Sequence, residues 1–184
     1  SLDDVRYEQN SVGVSIFKIA RDREGFFSVV LDSVYNRRIT AHTPMEISGV
    51  AKGHRLLQTK EDKSGTKVRG TLNNCSCGKT PWGTYLTCEE NFDDFFGSSD
   101  SSYAFSKEQK RYGISVNGEN YEWKLDERFD VSKNPNEPNR FGWVVEIDPY
   151  NPESTPIKRT SLGRFKHENT EIVVAKSGEV VVYM

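Results

Sequence analysis

Turn signals recur along this chain about every 8–12 residues, and no stretch carries the apolar periodicity of a long helix. That pattern limits the fold more than any other feature, because short segments between tight turns must be paired as strands to satisfy their backbone groups. Residues 12–19 (VGVSIFKI) alternate apolar and polar and read as a half-buried strand; with Phe26–Leu31 they suggest a hairpin over 12–31. Tyr35–Ile39 reads as a third strand, and residues 40–65, with His42 and His54, read as loop with short strands. Further strands are expected at Tyr103–Phe105, Tyr112–Val116 and Tyr121–Leu125, with Asn117-Gly118 as a type I′ hairpin signal. Phe141–Asp148 (FGWVVEID) reads as a buried strand with Phe141, Trp143, Val145 and Ile147 on one face and Val144, Glu146 and Asp148 on the other. Arg159–Phe165 reads as extended, and Ile172–Tyr183 as a hairpin turning at Lys176-Ser177-Gly178. No helix longer than two turns is expected. The fold class is all-β: a sandwich, barrel or propeller, with the hairpin-rich pattern favouring antiparallel propeller blades. At about 40–50 residues per blade, the chain has room for about three to four.

One segment concentrates the chemistry. Residues 70–97 (GTLNNCSCGKTPWGTYLTCEENFDDFFG) hold every cysteine of the chain, together with Asn73, Asn74, Glu89, Glu90 and Asn91. The segment reads as loop, then a Thr80-Pro81-Trp82-Gly83 turn, then a strand over Thr84–Cys88, then loop. Glu89 and Glu90 fall at the end of that strand, where side chains are held rigidly beside solvent.

Charge excludes some partners. A net charge of −2 over 184 residues leaves no basic excess for nucleic acid. No apolar run approaches the ~20 residues of a membrane-spanning helix. The chain opens directly into charged residues and stops inside the β run Glu179–Met184, as an excised portion of a longer protein would. Three cysteines cannot all pair internally, so they assign no compartment.

The string NNCSCGKTPWGTYLTCEENF resembles the hallmark of the PhoX-type alkaline phosphatases, a bacterial family. RFGWVVEIDPYNP at 140–152 and PIKRTSLGRFKHEN at 156–169 match the same family in the same order. The resemblance implies a β-propeller with iron and calcium clustered at one end of its central channel. It implies phosphate-monoester hydrolysis at alkaline pH, and export that places the parent protein in the periplasm or outside the cell. Residues 1–184 would then be a partial propeller phosphatase domain, N-terminal to central blades, with weak or no activity alone.

The residue types suit that chemistry. Iron accepts a thiolate with carboxylates, while calcium takes carboxylate and amide oxygens. Under the resemblance, Cys75, Glu89, Glu90, Glu168 and Asn74 are the candidate metal ligands. His167, Arg164 and Trp82 are the candidate catalytic residues, and Arg140 and Arg159 are further candidate phosphate clamps by charge. Cys75 is preferred over Cys77 because it follows the Asn-Asn pair. Each has a plainer reading. Cys88 suits a strand interior as a small hydrophobe. Adjacent Glu89 and Glu90 leave a strand on opposite faces. Trp82 suits packing, and a lone His167 is commonly structural. Asp93-Asp94 reads as loop solvation, with calcium as the other option. A zinc site from Cys75, Cys77, Cys88 and His167 lacks the usual knuckle spacing. No Gly-x-Ser-x-Gly elbow is present, and HENTE at 167–171 lacks the second histidine of a zincin helix. The competing class is a non-catalytic calcium-binding propeller or interaction module.

Overall fold

Ser1 starts the first element through a capping box. Its hydroxyl accepts from the Asp4 backbone N–H while the Asp4 side chain reaches back to the Ser1 backbone. The helix α1 that follows, Leu2–Ser11, has ten residues, in the computed structural model that describes residues 1–117 and 122–184. This corrects the expectation that no helix exceeds two turns. The helix buries only Val5 and Gln9, so its apolar stripe is too thin to show as periodicity.

The next strands are β1 (Val14–Ile16), β2 (Ile19–Arg21), β3 (Phe27–Val29) and β4 (Arg37–Ile39). β2 and β3 form the inner part of the expected 12–31 hairpin, with Ile19 opposite Val29. β1 pairs instead with β4, Val14 opposite Ile39, so the hairpin is nested inside a longer one.

The main sheet has six strands: β5 (Pro44–Ser48), β6 (Lys67–Arg69), β7 (Asn74–Lys79), β8 (Tyr85–Glu89), β9 (Val144–Ile147) and β10 (Ile157–Arg159), in the order β6-β5-β10-β9-β8-β7. β7 through β10 form an antiparallel meander. β5 joins β10 in parallel and carries β6 antiparallel at the outer edge. A separate hairpin follows, β11 (Glu171–Val174) with β12 (Val180–Tyr183), turning through Gly178 as expected.

β9 is buried on both faces. Val145 and Ile147 join a large core with Ile39, Met45, Ile47, Phe92, Phe96, Phe129 and Phe141. Val144 joins a smaller cluster with Leu86 and Cys88, against which Leu162 and Ile172 pack. The two-faced reading holds over Val144–Ile147, whereas residues 141–143 precede the strand, with Gly142 at positive φ. Cys88 is a core residue, and burial pushes its thiol up to about 11.

Residues 90–143 leave the sheet between β8 and β9 and return. Strands were expected here at 103–105 and 112–116; the structure has none at either place. Ser106 and Gln109 form a second capping box, opening the helix α2 (Lys107–Tyr112), which ends on Gly113 in the left-handed region. Glu122–Leu125 is a 3-10 turn, and Gly118 and Tyr121 of the other expected features lie outside the described residues. The aromatic residues that suggested strands pack on one another instead: Phe95 and Trp123 lie 4.5 Å apart, Trp123 and Phe129 4.8 Å. None of the described helices is long and apolar enough to cross a membrane.

Candidate functional site

The β7–β8 hairpin is where the donor groups meet. Asn74 pairs with Glu89 and Cys77 with Thr87, so two residues of β7, Cys75 and Ser76, stand opposite one of β8. This is a β-bulge, a device that bends the strand and re-aims side chains. β7 itself was read as loop, since Asn-Cys-Ser-Cys-Gly-Lys has no β-branched residue; the hairpin, not propensity, makes it a strand. The bulge leaves Cys75 exposed. It also frees the Ser76 N–H from the ladder, and that group donates to the Glu168 carbonyl at 2.8 Å. The His167 N–H donates to the Glu89 carbonyl at 3.1 Å, so residues 167–168 lie across the hairpin end.

Asn73 completes the bend. It is the described non-glycine residue with positive φ, at 46°. Its carbonyl accepts from the Glu90 N–H at 3.0 Å and its side-chain oxygen from the Asn91 N–H at 3.3 Å. Cys75, Glu90 and Glu168 are thereby assembled from three chain segments. The Cys75 thiol is pushed above its ordinary value by desolvation, by the neighbouring Glu90 carboxylate, and by the negative charge of Glu168.

Asn74 stands behind this group. Its amide nitrogen donates to Thr71 Oγ1 at 2.8 Å and Thr87 Oγ1 at 3.1 Å. Its buried Oδ1 has no partner, leaving a hard oxygen of the kind calcium takes. A thiol, two carboxylates and an open amide oxygen fit an iron and calcium site in donor chemistry. Among the described residues, however, no group of three or more His, Cys, Asp or Glu side chains is arranged to hold a metal ion.

Glu89 departs from its expected part as a ligand. Its carboxylate is fully buried and both oxygens are committed. Oε1 accepts from Lys158 Nζ at 2.7 Å, Thr71 Oγ1 at 2.8 Å and the Leu72 N–H at 3.4 Å. Oε2 accepts from the Gly142 and Trp143 N–H groups at 2.9 and 3.1 Å. Gly142 has φ 85°, and a Cβ there would meet a Phe92 ring atom at 2.5 Å, so only glycine presents its N–H here. Burial pulls Lys158 down to about 8, against the upward pull of Glu89.

The expected catalytic residues are also placed differently. Trp82 sits at the β7–β8 turn, at the opposite end of the hairpin from Cys75, 61% exposed, with its indole N–H on Glu146 at 2.8 Å. It walls a cleft of about 510 Å³ with Leu86, Leu162, Ile172, Val180 and Val182. Arg164 donates from Nε to the Phe141 carbonyl and from a terminal nitrogen to the Pro138 carbonyl, both at 2.8 Å, and stacks over Phe92 and Tyr112. Burial lowers its affinity for its proton, and two of its nitrogens brace the loop. His167 is fully buried, its Nε2 on the Gly163 carbonyl at 3.1 Å, its ring on Phe165 and its Nδ1 without a partner. Desolvation holds it below the ordinary histidine value. Arg140 is buried and bonds Thr59 Oγ1 at 2.8 Å, and Arg159 pairs with Glu146 at 2.6 Å, so neither is a free clamp. Asp93 pairs with Lys166 at 2.9 Å. Sequence reasoning missed Lys158. Its segment, Ile157-Lys158-Arg159, carries two adjacent cations and gives no sign that one of them is buried or what it pairs with.

The comparisons agree with one another. A family model described as alkaline phosphatase PhoX matches residues 1–184. Among solved structures, Pseudomonas fluorescens PhoX in complex with vanadate, a transition state analogue, is 54% identical with a TM-score of 0.97. The alignment covers 100% of this chain and 32% of that one, so the chain spans about a third of that protein's length. No curated protein matches.

Proposed function

The chain belongs to the PhoX alkaline phosphatase family, and we propose that it supplies part of a metal-dependent phosphomonoesterase site. The observation that carries the reading is the β7 bulge, which exposes Cys75 near Glu90 and is crossed by the backbone of residues 167–168. Cys75 would hold iron as a thiolate, and Glu90, Glu168 and Asn74 would supply hard oxygens to iron and calcium. When bound, such ions neutralise the phosphoryl oxygens and activate an oxygen nucleophile.

The chain's own residues prepare that site. The Cys75 thiol must lose its proton for the sulfur to become a ligand. The backbone bonds of Ser76, Glu90 and His167 fix where the donors stand. The vanadate held by the Pseudomonas relative supports a phosphate ester as the substrate class. Ligands from the part of the longer relative that this chain does not span would complete the cage.

The fold reading extends in the same way. The β7–β10 meander has the composition of one four-stranded propeller blade, and β11–β12 would begin the next. We place the working protein in the periplasm or outside the cell, on the family resemblance alone.

The test is metal content together with phosphomonoesterase activity at alkaline pH, for the full-length protein and Cys75→Ala. The expected result is iron and calcium in the wild type. Activity in the variant should fall more than about 100-fold, beyond the range for residues that only support a ligand. Calcium alone with no turnover would make this a non-catalytic calcium-binding propeller.

A further inference from the structure

Glu89 touches every segment that carries a donor. Its carboxylate holds residues 71–72, and Thr71 in turn accepts from the Asn74 amide, one residue before Cys75. Its carbonyl accepts from His167, one residue before Glu168, and Glu90 is its own neighbour. Its other carboxylate oxygen holds Gly142 and Trp143, and its N–H donates to the Trp143 carbonyl at 3.3 Å. Lys158 supplies the counter-charge from β10, across β9, and is itself held by the Arg140 carbonyl at 2.9 Å and the Phe141 ring at 3.9 Å. We infer that Glu89 and Lys158 are a buried positioning pair that sets the relative placement of Cys75, Glu90 and Glu168, an inference that rests on the metal-site reading above. Both side chains are buried and engaged by protein groups. They act through the backbone, as outer partners orient metal ligands elsewhere.

Stability alone does not call for this arrangement. A buried ion pair is commonly replaceable by apolar residues of similar volume without loss of stability. What apolar residues cannot reproduce is the direction of the bonds to Thr71, Leu72, Gly142 and Trp143. The pair's role is therefore separable from its contribution to folding.

The experiment compares the full-length wild type with the double variant Glu89→Gln/Lys158→Met, which removes both charges together. Three quantities are read: the unfolding midpoint, the iron and calcium retained, and the iodoacetamide alkylation rate of Cys75 in metal-free protein, with Cys77 as internal control. Metal retention and kcat should fall by about tenfold or more, with KM little changed. The ratio of the Cys75 to the Cys77 alkylation rate should change about threefold, because the segments that fix where the Cys75 thiol stands are no longer held together. A lowered midpoint with unchanged metal content and unchanged Cys75 reactivity would overturn the inference and leave a purely structural pair. A wild type without metal, but with Cys75 reactivity that responds to the double variant, would sink the metal reading and keep the positioning role. If the double variant does not fold, Glu89→Asp decides the matter. It keeps the charge but withdraws the carboxylate by one methylene, and unchanged Cys75 reactivity there overturns the inference.

Discussion

Adjacent residues at the end of β8 have opposite fates. Glu90 faces the thiol of Cys75, while Glu89 is enclosed by five donors. The alternation of a strand separates them, and the sequence shows that separation but not its direction. Glu89's partners lie 53 and 69 residues further on, at Gly142 and Lys158, so nothing local marks it as an internal carboxylate. Cys75, Glu90 and Glu168 were legible as donors by type. Arg164, Trp82 and His167 stand away from the Cys75 thiol or are engaged by protein partners, which charge and aromaticity in the sequence do not reveal. His167 carries a pH signature of its own. A base held below its ordinary value is protonated first in the unfolded chain. Between its folded value and about 6.5, the unfolded chain therefore binds more protons, and stability is lost as pH falls through that window. Urea unfolding of wild type and His167→Gln between pH 8 and 5 should give a steeper loss for the wild type; parallel curves would refute this.

At the level of elements, β8, β9 and the β11–β12 hairpin were readable because β-branched and apolar residues coincide with pairing. β7 and the two helices were not. β7 is imposed by its partner, and α1 and α2 announce themselves only through capping boxes. The aromatic residues between 92 and 129 have strand propensity but serve as core filling for an excursion from the sheet. One glycine governs how β11 meets β7. A Cβ on Gly78 would lie 2.2 Å from the Thr170 carbonyl oxygen, so only a bare backbone lets the lead into β11 approach. Gly78→Ala should therefore destabilise the protein by roughly 1–3 kcal/mol, as overpacking does. Thermal or urea unfolding checks this, and an unchanged midpoint would show that the lead into β11 yields without cost.

At the scale of the molecule, β12 presents an unpaired edge among the described residues, with Val180, Val181 and Tyr183 exposed. Such an edge recruits other strands unless it is covered. For the 184-residue chain, sedimentation velocity should show concentration-dependent association that Val181→Lys reduces; equal sedimentation of the two would rule out association through this edge. The all-β class was legible in the turn spacing, whereas the parallel β5–β10 pair, joining distant segments, was not. The connectivity around Glu89 also sets a timetable. On a ribosome the β7–β8 hairpin emerges early and its two strands are neighbours, so it can close at once. The groups that neutralise and enclose the Glu89 carboxylate are made much later, after the whole excursion has been synthesised. Until Gly142 and Lys158 are made, the Glu89 carboxylate has only water and residues 71–72 to pair with, so its enclosure is completed last.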